Sequence, residues 1–262
     1  MDDSNRVSEQ RGAGVARAGP AGDRRRAGAG HREAPTGRRA QAIDWPLWLA
    51  RIERHRRLLH RRQHQSFTRL SDSGLVLATC NSFRVDGIDV DQATVWQALS
   101  RSPSQRRMRS RAIQRIRNHV AILHSIDNAL RRGQPLKTAA VIRWYTSIAG
   151  GLSITEIGSD KIRRLEHIVR RINSPHLRLR PALQEIARTY AELISDPLFP
   201  AFNGILARLI LRYHLGRCAL PPGIDGPSIP LQTPCTPDQV LAHLLAGICH
   251  CYEQAQANRD RE

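Results

Sequence analysis

Residues 196–222 have the sequence DPLFPAFNGILARLILRYHLGRCALPP, in which a proline-containing loop precedes a segment rich in leucine. The leucine-rich part fits a helix over about 203–217, and the apolar pattern before the loop fits another helix over about 178–195. Pro221, Pro222 and Gly223 are typical of a loop after the second helix. The stretch therefore predicts two helices joined by a short loop, and the rest of the chain can be placed around them.

The segments on both sides of this pair also show helical spacing. Asp44 can cap a first helix, and Pro46 suits its first turn. Gly87 is a natural left-handed end for a second helix. Further helices fit about 73–86, 91–99, a long segment after 110, and about 137–149, 159–173 and 236–256. Only residues 150–157 indicate a strand or small hairpin.

This pattern predicts an all-α fold with at most one small β-hairpin. We expect one helical body, in which residues 43–110 form the N-terminal helices and residues 111–256 the core. Residues 1–42 contain Gly, Ala, Arg, Ser and Pro with almost no large apolar side chains. Such a segment cannot bury enough surface to offset its ordering entropy, so we expect a disordered basic tail.

The composition limits the class of protein. The net charge of +18 favours nucleic-acid binding through the basic tail, although a G+C-rich genome would also produce a chain rich in Arg, Ala and Gly. No apolar run is long enough to cross a membrane, and the N-terminus lacks an apolar signal segment. Five cysteines at irregular spacings fit the reducing cytoplasm. His250 lies between Cys249 and Cys251, but adjacent helical positions point apart, so no metal site is expected.

The stretch at 196–222 resembles the Fic (Fic/Doc, Fido) family, whose signature is H-P-F-x-[DE]-G-N-G-R-x-x-R followed by a helix and the ending R-A-G-L-P-P. Asn203 and Gly204 fall on the Asn-Gly pair of that signature, and Arg208 falls on its second Arg. Arg217 and residues 220–222 fall on the ending. Upstream, residues 186–195 match the preceding helix if Asp196-Pro197 take the place of His-Pro, which leaves one extra residue in the loop.

A second motif supports the resemblance. Residues 82–87 have the sequence SFRVDG, which is similar to the inhibitory motif [ST]-x-x-x-E-[GN] that precedes the core of many Fic proteins. Ser82, Asp86 and Gly87 occupy its three defining positions. The similarity covers roughly residues 70–250.

The resemblance implies a specific chemistry. Fic enzymes transfer AMP from ATP to a protein hydroxyl: a His acts as the general base, an acidic residue holds Mg²⁺, and the Gly-Asn-Gly backbone binds phosphate at a helix N-terminus. Two Arg side chains clamp the phosphates. In this chain Asn203, Gly204 and Arg208 are the remaining nucleotide-binding candidates, and ATP with Mg²⁺ is the implied cofactor.

The other positions of the catalytic loop have changed. Asp196, or Pro197 without a gap, replaces the His, and a carboxylate with an ordinary pKa of ~3.9 is a weak base at neutral pH. Loss of a general base costs a factor of ~10²–10⁴ in rate. The positions of the metal-binding acid, the first Gly and the first Arg are also substituted, by residues from this set: Pro200, Ala201, Phe202 and Ile205.

Structural roles explain the retained residues equally well. Asn203 can be the N-cap of the following helix, and Arg208 can form a structural ion pair. In the family, the inhibitory Glu pairs with the second Arg. We therefore expect Asp86, at the end of a helix whose dipole disfavours an acid, to contact Arg208.

Three functions follow as hypotheses. The first is a Fic-like protein with little or no transferase activity and a binding or regulatory role toward an unknown protein partner. The second is an enzyme that transfers AMP or phosphate through Asp196, Asn203 and Arg208. The third is a nucleic-acid-binding helical protein that uses the basic tail and the Arg-rich helix at 51–62.

Overall fold

The computed structural model describes residues 43–60, 70–100, 111–150, 157–175, 178–221 and 235–259. Within these ranges the chain is all-α and contains no strand, which confirms the predicted fold class. The helices are α1 (Trp45–His60), α2 (Asp72–Val85), α3 (Gln92–Ser100), α4 (Arg111–Arg131), α5 (Thr138–Ala149), α6 (Ser159–Asn173), α7 (Leu179–Ser195), α8 (Asn203–Arg217) and α9 (Pro237–Arg259).

The helix ends follow from local sequence signals. The Asp44 carboxylate accepts a hydrogen bond from the Leu47 N–H at 3.1 Å, as its predicted capping role requires. Gly87 has φ +72° and ends α2 in the left-handed conformation that a glycine adopts without strain. All nine predicted helices are confirmed to within a few residues at each end. The predicted tail at 1–42 lies outside the described residues, as does most of the predicted hairpin, at 151–156.

Helix α8 forms the centre of the body. Every residue from Gly204 to Leu215 is buried, because α2, α4, α5 and α7 all pack against this helix. Helix α7 also packs against α9, and α9 in turn packs against α1. A helix that is enclosed on all sides should be apolar all round, yet α8 carries Arg208 and Arg212 in its middle. These two arginines therefore require interior partners.

A row of ion pairs joins α6 to α7. Arg171 bonds both Glu185 and Glu192, at 2.8 Å in each case, and Arg164 bonds Glu192 at 3.1 Å. All four side chains are about three-quarters or more buried, so these pairs are screened less than ordinary surface pairs. The apolar side of α6 is buried in the core, and the ion pairs fix its position along α7.

No helix in the described ranges is long and apolar enough to cross a lipid bilayer.

Candidate functional site at the N-terminus of α8

The end of α2 presents a carboxylate to the start of α8. The N–H of Gly87 donates to the carbonyl of Arg84 at 3.0 Å, and the N–H of Ile88 donates to the carbonyl of Phe83 at 3.1 Å. These two bonds form a Schellman turn, a helix ending that depends on the left-handed glycine. The turn fixes the backbone of Asp86, the last residue before the glycine. The inhibitory-motif residue predicted from sequence is thus held rigidly at a helix end.

The Asp86 carboxylate binds the first free N–H groups of α8. One oxygen accepts from the Gly204 N–H at 3.0 Å, and the other accepts from the Ile205 N–H at 2.8 Å. A helix N-terminus carries unsatisfied donors and a partial positive charge, so it is a natural seat for an anion. Here the Asp86 carboxylate of the same chain occupies that position, and we call the N–H groups of Gly204 and Ile205 the Asp86 seat.

Gly204 permits this close approach. A Cβ atom at position 204 would lie 2.3 Å from Cγ1 of Val85 and 2.9 Å from Oδ1 of Asp86. Non-bonded contacts of a Cβ atom are essentially never this short, so a side chain at position 204 would force Val85 and Asp86 at the end of α2 to shift. The glycine identified from the motif is therefore needed for the contact between the two helices.

The backbone bonds of Asp86 were not predicted from the sequence, and the expected contact between Asp86 and Arg208 stays a prediction. The carboxylate takes its hydrogen bonds from Gly204 and Ile205, whereas Arg208 is buried one turn further along α8. An aspartate side chain is one methylene shorter than glutamate, and here it reaches the N-terminus of α8. Burial raises the pKa of the Asp86 carboxyl, and the two backbone N–H groups act in the opposite direction.

Asn203 organises the loop that precedes α8. Its side-chain oxygen accepts from the N–H of Leu198 at 3.1 Å and of Phe199 at 3.4 Å, and its side-chain nitrogen donates to the Leu193 carbonyl at 2.6 Å. The interpretation of Asn203 as the helix cap was wrong. The N-cap is Phe202, which adopts a left-handed backbone with φ +57° and gives no side-chain cap. The fold of the loop directs the amide inward, where it satisfies loop backbone groups.

Aromatic contacts fill the space around the same loop. The Phe199 ring stacks on Tyr145 with a centroid separation of 4.8 Å, and the Arg115 guanidinium lies 4.7 Å from the centroid of Phe202. Arg115 also donates to the carbonyl of Ile148 near the end of α5. The loop is therefore tied to α4 and α5 by side chains that occupy the neighbourhood of α8's first turn.

Asp196, which was predicted to replace the His of the Fic signature, lies at the end of α7 and is exposed. Its carboxylate forms an ion pair with Arg164, which also bonds Glu192. Three-quarters of the Asp196 side chain faces solvent. The structure therefore places Asp196 at the end of the α6–α7 ion pairs.

No protein-family model, curated protein or solved structure matches this chain. The likeness to the Fic family consequently rests on the sequence motifs quoted above.

The structure also shows a buried polar cluster that the sequence did not predict. Arg212 of α8 bonds Asp127 of α4 at 2.5 Å, and both side chains are nearly inaccessible to solvent. Burial, followed by the charges of Arg208 and Arg212, lowers the pKa of His119 on α4 to about 3. The His119 ring pairs with the Thr79 hydroxyl at 3.1 Å and therefore stays neutral. The signal that could have identified this cluster is the apolar surroundings of the two arginines in α8.

Arg208 belongs to this interior cluster. It lies close enough to His119 to lower the pKa of that ring, and its charge opposes the rise that burial causes in the pKa of Tyr190. Of the predicted nucleotide-binding residues, the structure brings Asn203 and Gly204 together at the start of α8. Arg208 lies one turn further along α8 and is only 3% exposed.

The chemical capacity of the site follows from these contacts. The donors of Gly204 and Ile205, which would bind a phosphate, are engaged by Asp86, and the Asn203 amide is engaged by the loop. Among the residues that the structure describes, no three His, Cys, Asp or Glu side chains are grouped closely enough to hold a metal ion. The arrangement is suited to holding α2 against α8.

Proposed function

We propose that this chain is a Fic-like protein with little or no transferase activity, which acts by binding or regulating a partner protein. The observation that carries the proposal is the Asp86 carboxylate on the backbone N–H groups of Gly204 and Ile205. A nucleotide phosphate would have to displace a half-buried carboxylate that two backbone N–H groups hold. The N–H groups at the start of α8 thus serve to join α8 to α2.

Asp196 adds a second argument. Its carboxylate is engaged by the Arg164 guanidinium in an ion pair between α6 and α7. A general base must also lie within hydrogen-bonding distance of the hydroxyl that it activates. Asp196 instead faces α6, so it is a poor substitute for the family's His.

The test is transfer of label from α-³²P-ATP with Mg²⁺ to protein, together with calorimetric titration of the same nucleotide. We expect neither transfer nor detectable heat with the full chain. The Asp86→Asn variant should also transfer no label, because the signature's general base and metal-binding acid are both substituted in this chain. Asp89→Asn, an exposed acid on the same loop, is the matched control. Transfer by the wild-type chain would reject the proposal in favour of an active enzyme that uses Asp196, Asn203 and Arg208.

Nucleic-acid binding is a second candidate function. Arg51, Arg54 and Arg57 recur every third residue of α1, and all three are exposed. Arg51 is paired with Glu253, which leaves Arg54 and Arg57 as the more available cations of this stripe. Binding of labelled duplex DNA should weaken steeply with salt if this surface contributes. The comparison of the full chain with residues 43–262 and with an Arg54→Glu, Arg57→Glu variant separates the contribution of the tail from that of α1.

The proposed location is the cytoplasm. All five cysteines are free thiols in the structure, and a reducing compartment keeps thiols in that state.

A further inference from the structure

An open groove runs between α4 and α5, at the opposite end of α8 from the Asp86 seat. Its cavity volume is about 630 Å³, and its floor is formed by the buried side chains of Ile122, Leu136 and Trp144. Tyr213 of α8 closes one side. Ten residues separate Tyr213 from the first residue of α8, which corresponds to ~15 Å along the helix axis. The groove is therefore distinct from the candidate site described above.

The walls of the groove are fixed by hydrogen bonds. Asn173 of α6 accepts from the Leu136 N–H at 2.9 Å and donates to the Leu136 carbonyl at 2.8 Å. The Tyr213 hydroxyl donates to the carbonyl of Gln134, and the Asn118 amide donates to the carbonyl of Ser147 at 2.6 Å. A surface that is rigid before binding loses less conformational entropy when a partner docks.

Small residues keep the groove open. Ala121, Ser125 and Ala129 recur at four-residue intervals along α4, and Ala140 faces them from α5. Longer side chains at these positions would fill the space above Trp144. Two helices pack at an axial distance of 8–10 Å that depends on the side chains between them, and small residues allow the closest approach.

The charge of the groove has one sign. Lys137 and Arg143 line it and both are exposed, and none of the lining residues that the structure describes is Asp or Glu. Neither cation has a carboxylate within ion-pair distance among the described residues, unlike Arg164 and Arg171 on α6. Six residues separate Lys137 from Arg143, which corresponds to ~9 Å along α5. This separation is close to two turns of a helix.

We propose that this groove is the partner-binding surface of the protein and that it takes an acidic amphipathic helix of another protein. The lining of α4 extends from Asn118 to Ala129, or ~16 Å, which matches three turns of a helix. The apolar face of the partner helix lies on Trp144 and Leu136, and two acidic residues spaced seven apart face Lys137 and Arg143. The inference rests on the proposed binding role and names its surface.

The test uses a fluorescein-labelled, 16-residue helical peptide with Leu at i, i+3, i+4 and i+7 and Glu at two flanking positions seven residues apart. Fluorescence anisotropy measures its binding to the full chain. A second peptide with Lys in place of Glu and a third with Ser in place of Leu are the comparison probes. We expect saturable binding of the acidic peptide only, weaker at higher salt.

Variants of the groove locate the binding. Lys137→Glu with Arg143→Glu should weaken the acidic peptide at least about tenfold, since two partly exposed charge pairs are removed and reversed. Lys161→Glu with Arg163→Glu, the same charge change on exposed positions of α6, is the matched control and should leave affinity within about twofold. Ser125→Trp fills the groove without a change in charge and should also weaken binding.

The proposal is overturned if the control variant weakens binding as much as the groove variant, if the Lys peptide binds as well, or if no peptide binds. These results are separable from a failure of the proposed function, because AMP transfer by the wild-type chain is measured independently of peptide binding. If the chain transfers no AMP and the acidic peptide also fails to bind, only the proposed binding surface is rejected. The proposal that the chain has little or no transferase activity is then unaffected.

Discussion

Helix α8 receives one carboxylate at its N-terminus and another at its centre, and the two are neutralised in different ways. Asp86 binds two backbone N–H groups and is half-buried at the helix end, whereas Asp127 pairs with a buried guanidinium. The N-terminus of a helix carries only a partial positive charge, so loss of its anion leaves two N–H groups unpaired but no full charge buried alone. A buried guanidinium, by contrast, carries a full charge. The centre of α8 should therefore be far more sensitive to substitution than its N-terminus.

Loss of the central carboxylate has the largest expected effect. Asp127→Ala leaves the Arg212 guanidinium without its buried counter-charge, so the free energy of unfolding should fall by about 3–5 kcal/mol. Urea unfolding followed by circular dichroism measures the change. Asp160→Ala removes a highly exposed partner of Arg163 and should change little. Equal effects at the two positions would contradict the contrast between buried and exposed pairs.

The buried polar cluster at the centre of α8 should also make the stability of the fold depend on pH, through His119. The unfolded chain protonates this His below about pH 6.5, but the folded chain does not do so until its lowered pKa of about 3. Stability should therefore fall by about 1.4 kcal/mol per pH unit as the pH decreases below 6.5. His119→Gln should flatten this slope, while His167→Gln, at an exposed position of α6, should leave it unchanged. A slope that persists in His119→Gln would assign the effect to other groups.

At the N-terminus, the tight contact of Gly204 is the most sensitive feature. Gly204→Ala places a methyl group 2.3 Å from Val85, and the required movement of α2 should cost about 1–3 kcal/mol of stability. Thermal unfolding of this variant should be compared with Gly158→Ala, where a Cβ meets nothing within 4 Å. A neutral Gly204→Ala would mean that α2 and α8 are less closely packed than the structure shows.

Asp86→Asn is expected to have the smallest effect of the series. The carbonyl oxygen of the new amide still accepts a hydrogen bond from one N–H group of α8. Its NH2 group faces the other N–H group and cannot accept from it, so the free energy of unfolding should fall by about 1 kcal/mol. The same urea measurement applies, with the exposed Asp89→Asn as control. A loss as large as that of Asp127→Ala would reverse the comparison between the two ends of the helix.

The sequence predicted the helices well and the site in part. Helical spacing, Asp44 and Gly87 were sufficient for α1 and α2, because these signals act within a few residues. The motifs also identified Asp86 and Gly204, which the structure brings together. The sequence did not predict that Asp86 would bind the backbone N–H groups of Gly204 and Ile205, because the reach of a side chain depends on the distance between α2 and α8. That distance is fixed by the missing Cβ of residue 204 and by contacts remote in sequence.

The buried charges were missed for a related reason. Asp127 and Arg212 are 85 residues apart, and polar residues at helical spacing ordinarily indicate a solvated face. The left-handed Phe202 is similarly unpredictable, because a bulky residue adopts that conformation only when tertiary contacts impose it. The stacked Phe199 and the guanidinium over Phe202 are such contacts. Both features arise from the assembled bundle and not from local sequence.

The most direct measurement of the central claim is an NMR titration that follows the backbone amides of Gly204 and Ile205. The account predicts that both resonances move in Asp86→Asn relative to the wild type and stay fixed in Asp89→Asn. It also predicts that ATP with Mg²⁺ leaves both resonances of the wild-type chain unchanged, because the Asp86 carboxylate occupies their donors. Saturable movement of these two amides on addition of nucleotide to the wild-type chain would show that the seat is open, and would contradict the account.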